Sequence, residues 1–146
     1  MSQTIQSPAA QLAEAYLIAL QAKDKAAMLA LLADDFALEI PCNISGSNDL
    51  SDSWYGIENA GPNYDGAFRM IEVIKYIDVE ITQAHDPSIA FLEGLGEMRM
   101  ANGNPYRNRY VFRFDVAGDK ITRVREYVNP ITFAIAQEIP LPLSRG

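Results

Sequence analysis

Residues 105–128 read PYRNRYVFRFDVAGDKITRVREYV, and this stretch decides the fold. Apolar and polar side chains alternate on both sides of a turn at Ala117-Gly118-Asp119, the pattern of two antiparallel strands joined as a hairpin. A three-residue turn, in which Gly118 supplies a positive φ, places residues of like parity on one face. A two-residue turn would mix arginines with phenylalanines on both faces, so we favour the three-residue register.

This register divides the hairpin into a basic face and an apolar face. The basic face carries five of the eight arginines, namely Arg107, Arg109, Arg113, Arg123 and Arg125. The apolar face carries Tyr106, Asn108, Tyr110, Phe112, Phe114, Thr122, Val124, Glu126 and Val128. Glu126 is therefore predicted to lie among apolar side chains, beside Tyr110 or Asn108.

Glu126 is the candidate catalytic residue. A carboxylate on an apolar face loses hydration, which raises its pKa and suits it to general acid or base catalysis near neutral pH. The alternative is a structural glutamate, either partly solvated or paired with an arginine. For the basic face, ion pairs with Glu93 and Glu97 of the neighbouring strand, within a subunit or across a dimer, explain the arginines better than an anion site does.

The remaining sequence predicts helices followed by a sheet. Helix patterns cover 8–22, which begins at Ser7-Pro8, then 25–33, capped by Asp24, and part of 57–75. Strand patterns cover 36–40, 76–84, 89–100, 105–116 and 120–128, with a short helix after Asn129-Pro130. This order predicts an α+β fold in which three N-terminal helices pack against a curved, mixed or antiparallel sheet. The interior of that cone is expected to hold a ligand.

Residues 42–61 are predicted to form a loop. Serine, asparagine, aspartate and glycine crowd its first turns, and the aromatic pair Trp54-Tyr55 follows them. A loop of this length is functional or disordered, so we interpret it as a candidate lid over the ligand.

The length, charge and composition of the chain exclude several classes of function. The chain has 146 residues, a size that fits one domain over 1–146, and a net charge of −7, which disfavours nucleic-acid binding. One cysteine, Cys42, and one histidine, His85, exclude a disulfide framework and histidine-rich or multi-cysteine metal sites, so we predict no metal and no cofactor. The sequence shows no secretory signal pattern at its start and no apolar run of membrane-spanning length. We therefore expect a cytoplasmic protein without membrane contact.

Several motifs resemble a known superfamily. The N-terminal motifs Ala15-Tyr16-Leu17, Lys23-Asp24 and Ala33-Asp34-Asp35-Phe36 resemble the nuclear transport factor 2-like superfamily, which includes ketosteroid isomerases and SnoaL-like polyketide cyclases. The later segments 78–81, 86–87, 125–130 and 139–142, together with Glu93, look like its PhzA/PhzB phenazine-biosynthesis branch. The resemblance implies a cystatin-like cone, usually a homodimer, with a pocket between the helices and the concave sheet.

The resemblance also implies roles for particular residues. In the PhzA/PhzB branch a glutamate of the final strand and a histidine of the third helix are thought to assist condensation of two amino-ketone rings. That glutamate matches Glu126, whereas the histidine position falls near Asn63. The helix-one tyrosine of ketosteroid isomerases matches Tyr16, but their general-base aspartate falls on Ile40. Their second acidic residue falls at or near Tyr110.

Two functional hypotheses remain open. The first is a cofactor-independent enzyme of isomerase, cyclase, dehydratase or condensation type, in which Glu126 is the general acid or base. Its substrate is a small apolar molecule bearing a carbonyl or an amine, and the predicted ligand-binding residues are Tyr16, Trp54, Tyr55, Asn63, Asn108, Tyr110, Phe112 and Val124. The second is a non-catalytic module that binds a hydrophobic metabolite or a protein partner. Under either hypothesis we expect a homodimer formed through the outer sheet face, and a solvated His85.

Overall fold

The computed structural model describes residues 6–142, so both ends of the predicted domain over 1–146 lie outside the described residues. The helices are α1 (Pro8–Ala22), α2 (Lys25–Ala30), α3 (Ile57–Met70) and α4 (Pro130–Gln137). The strands are β1 (Leu32–Ile40), β2 (Asp52–Tyr55), β3 (Ile71–Val73), β4 (Tyr76–Gln83), β5 (Ile89–Gly96), β6 (Met98–Met100), β7 (Pro105–Tyr106), β8 (Arg109–Ala117) and β9 (Lys120–Val128).

Two sheets form the β layer. The larger has the strand order β2-β1-β9-β8-β5-β4, and the smaller has the order β3-β6-β7. Neighbours in the larger sheet are antiparallel except β1 and β9, which run parallel. Helix α1 packs across β4, β5, β8 and β9, while α3 packs on β1 and β2. The predicted α+β cone with a curved mixed sheet is confirmed.

The first two helices begin at the predicted caps. The side chain of Ser7 accepts a hydrogen bond from the Ala10 N–H at 3.1 Å, and Asp24 accepts one from the Ala27 N–H at 3.0 Å. Helix α2 ends at Ala30, three residues earlier than predicted. It ends early because the chain enters β1 at Leu32, which pairs with Ile121 of β9.

The hairpin of β8 and β9 has the predicted register beyond its turn but not at the turn. Ala117 pairs with Lys120, so the loop has two residues rather than three, and Gly118 has the expected positive φ of 60°. A β-bulge at Thr122 then shifts the register by one residue and restores pairing of like parity. Ile121 is consequently fully buried instead of lying on the basic face. Thr122 leaves the apolar face, and its hydroxyl donates to the Asp115 carbonyl at 3.0 Å.

The ion pairs of the basic face differ from the predicted ones. Arg123 Nε lies 3.2 Å from Asp115 Oδ2, and Arg125 Nε lies 3.1 Å from Glu39 Oε1. Among residues 6–142 no ion pair involves Glu93 or Glu97, so the predicted pairing within a subunit is wrong, whereas pairing across a dimer stays a prediction. The reason is strand order, because the parallel neighbour β1 brings Glu39 directly opposite Arg125, whereas Glu93 lies opposite Val111.

Candidate active site

A cavity of about 350 Å³ lies between the helices and the inner face of the sheet. Its volume is within the range of small-molecule sites. Aliphatic and aromatic side chains form most of its wall. Its titratable side chains are Tyr16, Cys42, Asp52, Tyr64, Tyr76, Tyr106, Tyr110 and Glu126.

Glu126 lies on the inner face of β9, directly opposite Phe112 of β8. Within the described residues its carboxylate forms no hydrogen bond and no ion pair, and burial alone raises its pKa from an ordinary 4.5 to about 7. A carboxylate with this pKa is divided between its acid and base forms near neutral pH, so it can either donate or accept a proton.

Five tyrosines surround Glu126 closely enough for its charge to raise their pKa values. They are Tyr16, Tyr64, Tyr76, Tyr106 and Tyr110. Burial is the main cause of each shift, and it raises the pKa of Tyr106 to about 12. The Tyr16 and Tyr64 hydroxyls form a buried hydrogen bond of 2.7 Å. All five groups therefore stay protonated near neutral pH, and their hydroxyls are hydrogen-bond donors rather than bases.

The structure brings five of the nine predicted site residues to the cavity wall. They are Tyr16 of α1, Trp54 of β2, Asn63 of α3, Tyr110 of β8 and Glu126 of β9. Ile40, onto which the resemblance places the general base of ketosteroid isomerases, also lies on this wall.

The other four predicted residues do not line the cavity. Tyr55 points to the outer face of β2, where 53% of it is exposed and its hydroxyl donates to Glu39 Oε2 at 3.2 Å. Phe112 lies in the core and stacks on Tyr110 with ring centroids 5.5 Å apart. Val124 is fully buried. Alternation places a side chain on the inner face, but the neighbouring helices decide whether it reaches the cavity or the packed core.

Asn108, the fourth of these residues, is a structural bridge. It is 2% exposed and lies between β7 and β8, where the predicted strand 105–116 is interrupted. Its amide donates to the Asn129 carbonyl at 2.9 Å and to the Tyr106 hydroxyl at 3.0 Å. Its Oδ1 accepts from the Asn129 N–H at 3.1 Å. These bonds fix the end of β9 just beyond Glu126.

Replacing Asn108 by alanine is expected to lower the free energy of unfolding by about 2 kcal/mol, because it leaves the Asn129 N–H without its partner and removes one of the two hydrogen bonds that the Asn129 carbonyl accepts, the other coming from the Phe133 N–H. Denaturant unfolding measures the change. Asn48→Ala is the matched control, since Asn48 is exposed in the loop before β2 and should change stability by less than about 0.5 kcal/mol. Equal stability of the two variants would contradict the bridging role.

Sequence reasoning missed several residues of the cavity wall. Tyr64, Tyr76, Asp52 and Cys42 reach it from α3, β4, β2 and the segment before β2. Alternation predicts Tyr106 on the apolar face, but no pattern in the sequence marks it as a cavity residue. Residues 42–61, predicted to be a loop, contain the strand β2. This strand pairs with β1, and Trp54 lies opposite Leu38 in the pair. His85 is exposed in the turn between β4 and β5 and lies away from the cavity.

The mixed sheet and the helices form an α+β cone around an apolar cavity of small-molecule size, with a carboxylate on its inner wall. The chain belongs to the SnoaL-like domain family, whose model matches residues 13–124. The predicted membership of the nuclear transport factor 2-like superfamily is thereby confirmed. The match ends two residues before Glu126 and does not by itself bear on that residue. No curated protein matches the chain.

Solved structures share the fold over almost the whole chain. A Bacillus subtilis isomerase candidate is 18% identical with a TM-score of 0.79, covering 92% of this chain and 96% of its own. A phenazine biosynthesis-related protein of Pseudomonas aeruginosa is 16% identical with a TM-score of 0.76, and the superposition covers 99% of this chain and 93% of that protein. A Mycobacterium tuberculosis protein in complex with estradiol-17β-hemisuccinate is 25% identical with a TM-score of 0.73, and the superposition covers 87% of this chain and 98% of that protein.

Some expectations stay predictions. They are the homodimer formed through the outer sheet face, the cytoplasmic location and the absence of nucleic-acid binding.

Among the described helices none has the length and apolar character needed to cross a membrane.

Proposed function

We propose that the protein is a cofactor-independent acid–base enzyme acting on a small, largely apolar molecule that bears a carbonyl or an amine. One observation carries the proposal. Glu126 lies on the wall of an apolar cavity with no hydrogen-bonding partner within the described residues, and its pKa is about 7. A carboxylate that faces an apolar cavity without a polar partner is poorly solvated when ionised and destabilises a fold, so a catalytic role accounts for Glu126 better than a structural one.

The chemistry follows from the side chains present. The ionised Glu126 abstracts a proton next to a carbonyl or imine, and the protonated Glu126 returns it at another atom. A tyrosine hydroxyl of the cavity, such as that of Tyr16, donates a hydrogen bond to the oxygen on which charge develops. Isomerisation, cyclisation, dehydration and condensation all contain such a step. The steroid ester bound by the Mycobacterium tuberculosis relative supports a small, mostly apolar ligand.

The second candidate function is a non-catalytic binding module. It is favoured by the raised pKa values of the five cavity tyrosines, because none of these side chains can serve as a second base near neutral pH. This module would bind its ligand equally well after Glu126→Gln.

The pH dependence of a simple proton abstraction tests the proposal. Ring opening of a nitrobenzisoxazole needs only a base that removes one carbon-bound proton, and it releases a coloured phenolate. We expect kcat/KM to rise with pH and to level off above a midpoint of about 7, because only the ionised Glu126 accepts the proton.

Two results would contradict the enzyme proposal. A midpoint near 4.5 would indicate that an ordinary exposed carboxylate is the base. No rate above that of buffer, although the probe binds, would favour the binding module. Binding can be followed through Trp54, which is the only tryptophan of the chain and lines the cavity.

A further inference from the structure

The charged side chains of the described cavity wall are all acidic. Among the described residues the wall contains two carboxylates, Glu126 and Asp52, but no lysine, arginine or histidine. The chain as a whole carries a net charge of −7. A bound anion would therefore find no opposite charge at this wall.

The two carboxylates lie in one row across three strands. Glu39 of β1 pairs with Arg125 of β9, so the next residues, Ile40 and Glu126, are neighbours across this parallel pair. Ile40 in turn pairs with Asp52 of β2. All three residues of the row face the cavity. With strands about 4.8 Å apart, the Cα atoms of Asp52 and Glu126 are separated by about 10 Å.

Asp52 is free to meet a ligand. It is exposed, and within residues 6–142 its side chain accepts a hydrogen bond only from the adjacent Ser53 N–H, at 2.9 Å. Trp54 lies two residues along β2 and also lines the cavity, so its indole is on the same face of the strand as this carboxylate. A carboxylate and an indole together form a favourable site for a cation.

The arginines of the same strands do not neutralise this site. Arg123 and Arg125 lie on the outer face of the sheet, where they pair with Asp115 and Glu39. The strands β1 and β9 therefore separate these cations from the cavity.

We propose that the cavity selects apolar molecules that carry a protonated amine at one end, and that it discriminates against molecules carrying a carboxylate or phosphate there. Asp52 and Trp54 hold the ammonium group, and the apolar body lies over Ile40 towards Glu126. The inference rests on the proposed function only in placing the substrate in this cavity. It narrows the substrate from carbonyl- or amine-bearing molecules to cationic amines, with the reacting atoms at the Glu126 end.

Three probes that differ only in their end group test this selectivity: phenylbutylamine, phenylbutanol and phenylbutanoate. Calorimetric titration in the Glu126→Gln variant measures their Kd values, so that no reaction occurs and Asp52 is the remaining carboxylate of the described cavity wall. We expect the amine to bind about tenfold more tightly than the carboxylate at low ionic strength, with the alcohol between them.

The role of Asp52 is tested in the same background. Adding Asp52→Asn is expected to reduce the preference for the amine to about twofold, and to reduce its dependence on salt. Asp35→Asn is the matched control, because Asp35 is an exposed carboxylate of β1 that does not line the cavity and its removal changes the net charge equally. The control should keep the tenfold preference.

Three results would overturn the inference: equal affinity for amine and carboxylate, a preference that persists after Asp52→Asn, or no binding of any probe. Each is independent of the proposed catalysis, because the measurements use a variant in which the proposed base is already absent. A wild-type protein that binds the amine selectively but transfers no proton would contradict the enzyme proposal alone.

Discussion

Replacing Glu126 by glutamine is expected to lower kcat/KM for nitrobenzisoxazole ring opening by about 10²–10⁴-fold at neutral pH, the usual contribution of a positioned general base. Glutamine has nearly the shape of glutamate but cannot accept the proton. The cavity, the tyrosine hydroxyls and the bound orientation of the probe should be unchanged. The residual rate of the Glu126→Gln variant measures how much binding and desolvation accelerate the ring opening without the base.

Two controls separate this loss from a general disturbance. Glu93→Gln removes an exposed carboxylate of β5 that lies away from the cavity, and it should leave the rate unchanged. The affinity of the Glu126→Gln variant for the probe, followed by Trp54 fluorescence, should stay within a few-fold of wild type. If the variant keeps its rate, Glu126 is not the base and the binding-module hypothesis takes its place.

The same substitution is expected to stabilise the protein at neutral and alkaline pH. In the folded state the pKa of Glu126 is about 7, against an ordinary 4.5. Between these two pH values the folded state holds a proton that the unfolded state releases. The stability due to this difference is fully present below about pH 4.5 and is lost as the pH rises through 7, for a total of about 3 kcal/mol.

Chemical unfolding of both proteins between about pH 4 and pH 8 measures this linkage. The free energy of unfolding of the Glu126→Gln variant, relative to wild type, should increase by about 3 kcal/mol across this range, because glutamine carries no charge to bury. Glu93→Gln shows how much of any change comes from net charge alone. A difference between Glu126→Gln and wild type that does not change with pH would mean that Glu126 is solvated in the folded protein.

This stability cost and the proposed catalysis have the same origin. Burial without a partner makes the ionised Glu126 unfavourable in the fold, and it also makes that carboxylate a stronger base. A variant that gains stability at high pH and loses proton transfer would link both effects to one side chain.

The sequence by itself determined most of the inner face of the hairpin, including the position of Glu126, the proposed base; the bulge that moves Thr122 off this face was not visible in it. Alternation is a local property of a strand, so it separates Tyr110, Phe112 and Glu126 from the arginines without knowledge of the rest of the fold. The helix caps at Ser7 and Asp24 are local as well, because each bonds a backbone N–H three residues away. The family resemblance was likewise carried by short motifs along the chain.

Only the tertiary structure decided which side chains share the cavity. Strand β9 lies beside β1, far away in the sequence, and this parallel pair brings Ile40 next to Glu126 and Glu39 opposite Arg125. Strand β2 adds Asp52 to the same row. The helices decide that Tyr110 faces the cavity while Phe112 is packed in the core. Strand order and helix packing arise from contacts between distant segments, and no local pattern records them.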